Sequence, residues 1–302
     1  MPRSPRNVGP KRTPLHEFRL RCEGDIPHPT TDGLTSDMMS HDQWRCHTWR
    51  HLIDTRAHYA DVFSMHRISA KTLGLLALPD SCPRCFWHRA RLGWKSPWAI
   101  MPGIFSSIDG FSKRAVLAYH AKHGQLPPWL GGRWADAVPL PTPHHSRFWF
   151  NDPVTGIRLT GVPDLMLGLP ERKLAILDLK TARYSDHQDA LAPMYEVQLN
   201  GYAMIAESLG MGSVVALGLV YGEPPENDQD EGLDGLIGNA GFSMPFKATA
   251  VPVALDRPRI GPLLKKAKGL LDLDQPPAGR EDCRDCRLVE ELVRLGGKLY
   301  RA

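Results

Sequence analysis

Three short segments carry residue types whose spacing suits chemistry on a phosphodiester. Gly161-Val-Pro-Asp164 is followed fourteen residues later by Asp178-Leu-Lys180, and then by Gln198-Leu-Asn-Gly-Tyr202. Two carboxylates held close together repel unless a cation lies between them. Hard oxygen donors in such a pair favour Mg²⁺ or Mn²⁺. An ion of that kind polarises a phosphate and acidifies a bound water. An ammonium beside it orients or deprotonates the water, or offsets charge in the transition state. Asp-x-Lys alone has little specificity, and Glu171-Arg-Lys173 repeats the pattern nearby. That second copy sits in a Pro-flanked turn, where no neighbouring strand supplies another carboxylate.

The elements around these residues decide the matter. Ile157 to Leu167 and Leu174 to Leu179 have the apolar alternation of strands, joined by the turn Gly-Leu-Pro-Glu-Arg. Side chains at i and i+2 of a strand share a face, so Asp178 and Lys180 project together while Leu179 turns into the core. A hairpin of the two strands brings Asp164 beside Asp178. Met194 to Leu209 reads as a helix stopped by Gly210, and its Gln198 and Tyr202, four apart, share one face. Upstream, Ser69 is a helix N-cap, Phe86 to Leu92 an aromatic and basic helix, and Ile104 to His123 a helix closed by Gly124. Pro127 to Pro143 is a connector whose Trp129 and Trp134 serve local packing, and Arg147 to Phe150 a further strand. Downstream come a buried strand, Ser213 to Tyr221, an acidic loop from Glu223 to about Asp234 read as mobile, a strand or pair in Phe242 to Leu255, and a helix, Pro262 to Leu271. Helix, three strands, helix, strand is the order of an α/β core with a mixed sheet flanked by helices.

Gly161-Val-Pro-Asp164, Asp178-Leu-Lys180 and Gln198-Leu-Asn-Gly-Tyr202 resemble the three motifs of the PD-(D/E)XK nucleases. The branch they resemble is that of the RecB nuclease domain and the RecB-like exonucleases associated with CRISPR systems, over roughly Ser69 to Leu288. The resemblance implies a restriction-endonuclease-like core and metal-dependent hydrolysis of DNA. It implies that Asp164, Asp178 and the backbone carbonyl of Leu179 bind Mg²⁺ or Mn²⁺, and that Lys180 is the catalytic lysine. Gln198 and Tyr202 would line the site. The family also places a metal ligand, often His or Glu, on the first core helix. Here Asp109 is the candidate and no His stands at the expected place, which departs from the commonest pattern.

Cys82-x-x-Cys85 and Cys283-x-x-Cys286 together make a complete four-thiolate set, which by count suits Zn²⁺ or an iron–sulfur cluster equally well. Many RecB-like nucleases carry a four-cysteine iron–sulfur cluster that straps the segment before the core to the C-terminus. The resemblance therefore implies a 4Fe–4S cluster, with structural Zn²⁺ as the alternative. The usual split is one cysteine early and three late, whereas this chain divides them two and two. In either case the role is structural.

Composition sets the frame. The 302 residues are 42% hydrophobic, enough for a full core, and the formal charge is only +4. Residues 66–126 carry nine Lys/Arg against two acids, a footprint for a polyanion or an ordinary solvated face. Residues 223–235 carry six acids and no base. The start has positive charge without an apolar core segment, and the longest apolar strip is far short of the ~20 residues of a membrane helix. The expectation is a cytoplasmic protein with no membrane partner, whose six cysteines serve as thiols or ligands. Residues 1–64, rich in Pro, His, Asp and Arg, read as a poorly ordered extension before a nuclease domain at 65–302. Their Cys46, His47, His51 and His58 fit no compact zinc module, and Met65 offers an alternative start.

The expected function is an exonuclease acting on DNA ends or single strands in repair, recombination, phage or CRISPR-related processing, alongside a helicase or other partner protein. The aromatics Phe86, Trp87, Trp94 and Trp98 would guide the strand. A catalytically weak DNA-binding or scaffolding subunit is the alternative, and a metal-binding protein unrelated to nucleic acid a third. Intact acidic and lysine positions argue for the enzyme, since a scaffold has no need to hold two carboxylates close.

Overall fold

The computed structural model describes residues 66–94, 102–134, 136–184, 190–224 and 233–299. The cysteine and histidines at 46–58, Trp98 and most of the acidic loop lie outside them. In chain order the elements are β1 (Arg67–Ser69), α1 (Ala70–Gly74), α2 (Pro83–Arg91), α3 (Gly103–His123) and α4 (Pro128–Trp134). Then follow β2 (Val138–Leu140), β3 (Trp149–Asn151), β4 (Arg158–Thr160), β5 (Leu165–Leu169), β6 (Lys173–Thr181) and α5 (Ala192–Ser208). The last are β7 (Ser213–Glu223), the short pair β8 (Ile237–Gly238) and β9 (Gly241–Phe242), β10 (Lys247–Val253), α6 (Ile260–Leu271) and α7 (Arg284–Leu299).

The centre is a five-stranded mixed sheet in the order β10-β7-β6-β5-β2. Strands β6 and β7 run parallel, because α5 carries the chain back between them; the other neighbours are antiparallel. Alternation along β6 divides the core. Leu174 and Ile176 pack with α1, α5 and α6, while Ala175, Leu177 and Leu179 pack with Val116 of α3 and Leu130 and Trp134 of α4. Both faces of the sheet are thus covered, which explains why its central strands read as nearly continuous apolar runs.

Several expected boundaries hold. Ser69 caps α1 by accepting from the Thr72 N–H at 3.0 Å. Gly124 closes α3 with φ 70°, donating its N–H to the His120 carbonyl. Other readings change. The run Ile157 to Leu167 is two strands in two sheets. Strand β4 lies between β1 and β3, and β5 lies in the main sheet. Gly161 and Pro163 interrupt the run, and proline has no N–H to give a ladder. The helix that Ser69 opens is short and stops well before the cysteine pair at 82–85. A 3-10 turn, Leu75–Ala77, intervenes, and Cys82 is the N-cap of α2. The Pro/Gly/Trp connector contains a helix, α4, whose Trp134 is buried. Among the described residues, no helix is long and apolar enough to cross a membrane.

Candidate active site and four-cysteine cluster

The β5–β6 hairpin places the carboxylates. Its turn, Pro170–Arg172, holds Glu171 and Arg172 at positive φ, and Glu171 pairs with Lys173 at the surface. Glu171-Arg-Lys173 is therefore turn chemistry, as expected. Leu165 is registered with Leu177, so one step further Asp164 faces Asp178. Asp164 Oδ2 accepts the Leu179 N–H at 2.7 Å, which fixes that carboxylate against the end of β6.

Asp178 is 2% exposed, and its Oδ2 makes an ion pair with the Lys180 ammonium. Burial, and then the charge of Asp164, push its pKa up to about 6, although Lys180 and Lys71 pull the other way. Gln198, 4% exposed, ties the group together. Its Nε2 donates to Asp178 Oδ1 at 2.9 Å and to the Tyr202 hydroxyl at 2.8 Å, and its Oε1 accepts from Lys180 Nζ at 3.3 Å. Burial and the negative charge of Asp178 keep Tyr202 protonated well above the ordinary tyrosine range. Four of the residues expected at the catalytic centre, Asp178, Lys180, Gln198 and Tyr202, thus form one hydrogen-bonded group, and the fifth, Asp164, stands beside it on the Leu179 N–H.

Two further residues belong to it that the sequence reading passed over. Lys113 of α3 donates to Asp164 Oδ1 at 2.7 Å and to Asp109 Oδ2 at 2.8 Å. Burial opposes its charge, but the two carboxylates hold its pKa above the usual lysine value. Asp109, with its side chain 43% exposed, reaches Asp164 only through this ammonium. The i,i+4 spacing of Asp109 and Lys113 was the available signal. Tyr195 lies under Lys180, whose Nζ stands 4.2 Å from the ring centroid; it is one helical turn before Gln198.

The donor set fits a hard divalent cation. Asp178 Oδ2 is buried against the Lys180 ammonium, and two carboxylates lie opposite one another with incomplete compensation. Asp164 and Asp178 are the residues that would hold it, with Asp109 at the exposed side. Leu179 contributes its N–H to Asp164, while its carbonyl as a ligand rests on the family resemblance.

A cavity of about 690 Å³ opens beside Lys180, Leu179 and Asp109, walled by Ile108, Phe111, Trp129, Met244 and Phe246 with Arg114. Of the aromatics expected to guide a strand, Phe86, Trp87 and Trp94 lie elsewhere. Phe86 is buried against Trp94, and Trp87 donates to the Leu273 carbonyl and stacks under Arg91. The basic block divides in the same way. Arg84, Arg89 and Arg91 bind the C-terminal segment, whereas Lys113 and Arg114 face the active-site side.

The four cysteines converge. Cys82, Cys85, Cys283 and Cys286 place their sulfurs within 4.8 Å of one another, so the group is built to hold a metal. Each pair sits at a helix start, Cys82 capping α2 and Cys283 preceding α7.

Fold and site together set two carboxylates and a lysine at one end of a mixed sheet flanked by helices. Residues 113–290 match the PD-(D/E)XK nuclease superfamily, and the chain belongs to that superfamily. Its members are generally nucleases that use divalent metals. Among curated proteins, none matches the chain. One similar solved structure, "Crystal structure of SSO0001", covers 70% of this chain and 79% of its own at 14% identity, with a TM-score of 0.32.

Proposed function

We propose that this chain is a Mg²⁺- or Mn²⁺-dependent deoxyribonuclease that degrades DNA from ends or as single strands. The observation that carries the reading is the convergence of Asp178 and Lys180 on Gln198, with Asp164 held on the Leu179 N–H beside them and Lys180 lining a cavity. A cation bound by the two carboxylates would polarise the scissile phosphate and lower the pKa of an attacking water. The side chains have separate tasks. Gln198 and Tyr202 fix the plane of Asp178, since an amide donating to both leaves little rotational freedom. Lys180 has three N–H donors. Asp178 and Gln198 take two, and the third is free to meet a water or a phosphate oxygen on the cavity side. Tyr195 presents its ring to the Lys180 ammonium and helps to hold it in place.

The cavity supports the choice of substrate. Its walls are mostly apolar and aromatic, with Phe111 and Trp129 partly open to solvent. Stacked, paired bases of a duplex have no use for such a surface, whereas an unstacked base at an end or in a single strand does. Exonucleolytic action, the RecB-like branch and a role in repair, recombination, phage or CRISPR-related processing with a helicase rest on the motif resemblance. We likewise assign residues 65–302 to the nuclease domain.

The test is cleavage of end-labelled linear and circular single strands, duplex DNA and RNA, with Mg²⁺ or Mn²⁺, by the wild type and by Lys180→Ala. The expected result is metal-dependent loss of linear single-stranded DNA, sparing of the circle, and a fall of at least ~100-fold in Lys180→Ala with DNA binding retained. Unchanged cleavage in that variant would sink the active-site assignment. A folded, metal-loaded but inactive wild type would favour the DNA-binding subunit instead.

A further inference from the structure

The four-cysteine cluster carries a chemical identity of its own, independent of the nuclease reading. We propose that it holds a single tetrahedral Zn²⁺ ion rather than the 4Fe–4S cluster that the family resemblance implies. Sulfur spacing is the ground. Cys82 and Cys286 are 3.5 Å apart, Cys85 and Cys283 3.5 Å, and Cys85 and Cys286 3.6 Å. All four sulfurs lie within 4.8 Å of one another. A zinc–sulfur bond is about 2.3 Å, and four such bonds in a tetrahedron set sulfurs about 3.8 Å apart. A four-iron cube puts a separate iron at the end of each thiolate and drives those sulfurs roughly 6 Å apart.

A two-iron cluster fits no better. There each cysteine sulfur has one near neighbour, the one on the same iron, and two distant ones. Here Cys85 is near both Cys283 and Cys286, and Cys286 is near both Cys85 and Cys82. Sulfurs already in mutual contact leave room for one ion between them and for no inorganic sulfide.

The surroundings hold that spacing closed. A Cβ at Gly279 would stand 3.0 Å from the Cys286 sulfur, so the chain presses on the cluster from that side. The Arg280 N–H donates to the Cys82 sulfur at 3.3 Å. Arg89, Arg280 and Arg284 outnumber Asp80 and Asp285 in the adjoining hollow, which leaves it mildly positive beside the thiolates. The two-and-two division of Cys-x-x-Cys pairs, each at a helix start, is also that of closed structural zinc sites.

The experiment is metal and sulfide analysis of the full chain, purified anaerobically from cells supplied with both iron and zinc. One zinc per chain, no acid-labile sulfide and a colourless protein are expected. Replacement by Co²⁺ should give the intense visible bands of a tetrahedral thiolate site, and Cys85→Ser should change those bands and weaken zinc retention at least ten-fold. A brown protein with about four irons and four sulfides per chain overturns the proposal. So does a single iron without sulfide, or a folded chain that carries no metal. None of these outcomes depends on whether the chain cleaves DNA, so the zinc assignment and the nuclease reading can fail separately.

Discussion

Lys113 stands where the two readings of the site meet. Its ammonium bridges Asp109 and Asp164, and so shares with a divalent cation the carboxylates that the cation needs. A partly exposed pair of this kind is worth on the order of 1 kcal/mol, which converts to roughly five-fold in affinity. Lys113→Met should therefore bind Mn²⁺ several-fold more tightly, as titration calorimetry would read; an unchanged or weaker affinity would show that the lysine and the ion do not share ligands. Asp178 adds a pH dependence. Its pKa is raised to about 6, above the ordinary carboxylate value, so its negative charge is disfavoured by folding. The metal-free protein should lose stability as pH rises from about 4 through 6, and added Mg²⁺ or Mn²⁺ should reverse that loss. Metal affinity should climb with pH through about 6 and level off above it, because the proton on Asp178 must leave before the ion binds. An affinity flat from pH 5 to 8 would contradict the role given to this carboxylate. Sequence spacing reached Asp164, Asp178, Lys180, Gln198 and Tyr202 because strand and helix periods fix which side chains share a face. It missed Lys113, whose role comes from a contact between elements far apart in the chain, α3 with the β5–β6 hairpin, and Tyr195, whose ring contact with Lys180 leaves no mark in residue spacing.

At the scale of elements, α5 and the segment between β4 and β5 must approach closely for the Gln198 group to form. Gly161 makes this possible. A Cβ there would lie 2.3 Å from Tyr202 Cε1 and 2.5 Å from its Cδ1, a clash only movement of the ring or the segment relieves. Gly161→Ala should cost about 1–3 kcal/mol of stability. Since Tyr202 accepts from Gln198, the same change should lower kcat more than it raises KM, which steady-state kinetics with thermal unfolding would separate. Stability lost without any change in kcat would mean that the Tyr202 ring is packing alone. The first motif glycine thus has a packing reason that the linear sequence does not display, because Tyr202 is distant in the chain. The same limit of local reading explains the merged strand. Ile157 to Leu167 keeps its apolar residues on both sides of Gly161 and Pro163, yet the two halves are buried in different sheets, and the long-range pairing of β4 with β1 and β3 separates them. Helix α4 was hidden for a local reason, since two glycines within Pro128–Trp134 disfavour helix, and burial of Trp134 outweighs them.

For the whole molecule, the cysteine site decides whether the C-terminal segment stays on the core. Helix α7 packs on α2, and among the described residues two surface ion pairs link them besides the cysteines, Arg84 with Glu290 at 2.6 Å and Arg89 with Asp285 at 3.5 Å, while Arg84, Trp87 and Arg91 donate to carbonyls of the segment before α7. Exposed pairs contribute about 0–1 kcal/mol each. A cross-link between Cys85 and Cys283 closes a loop of 198 residues, and chain entropy puts such a closure near 5 kcal/mol. The metal site outweighs the ion pairs by several-fold, so removing the metal should free α7 before the sheet is affected. The sheet and α5 draw on a separate apolar core that includes no cysteine. Treating the chain with a thiophilic chelator should raise amide exchange in α2 and α7 by orders of magnitude while β6, β7 and α5 keep their protection. Limited proteolysis should then cut first between Asp272 and Cys283. Since Asp164, Asp178 and Lys180 are held by the hairpin and α5 rather than by the cysteines, the chelated protein should regain activity in part when Mg²⁺ or Mn²⁺ is returned. Simultaneous loss of protection everywhere would instead make the cysteine site a condition for folding the whole domain.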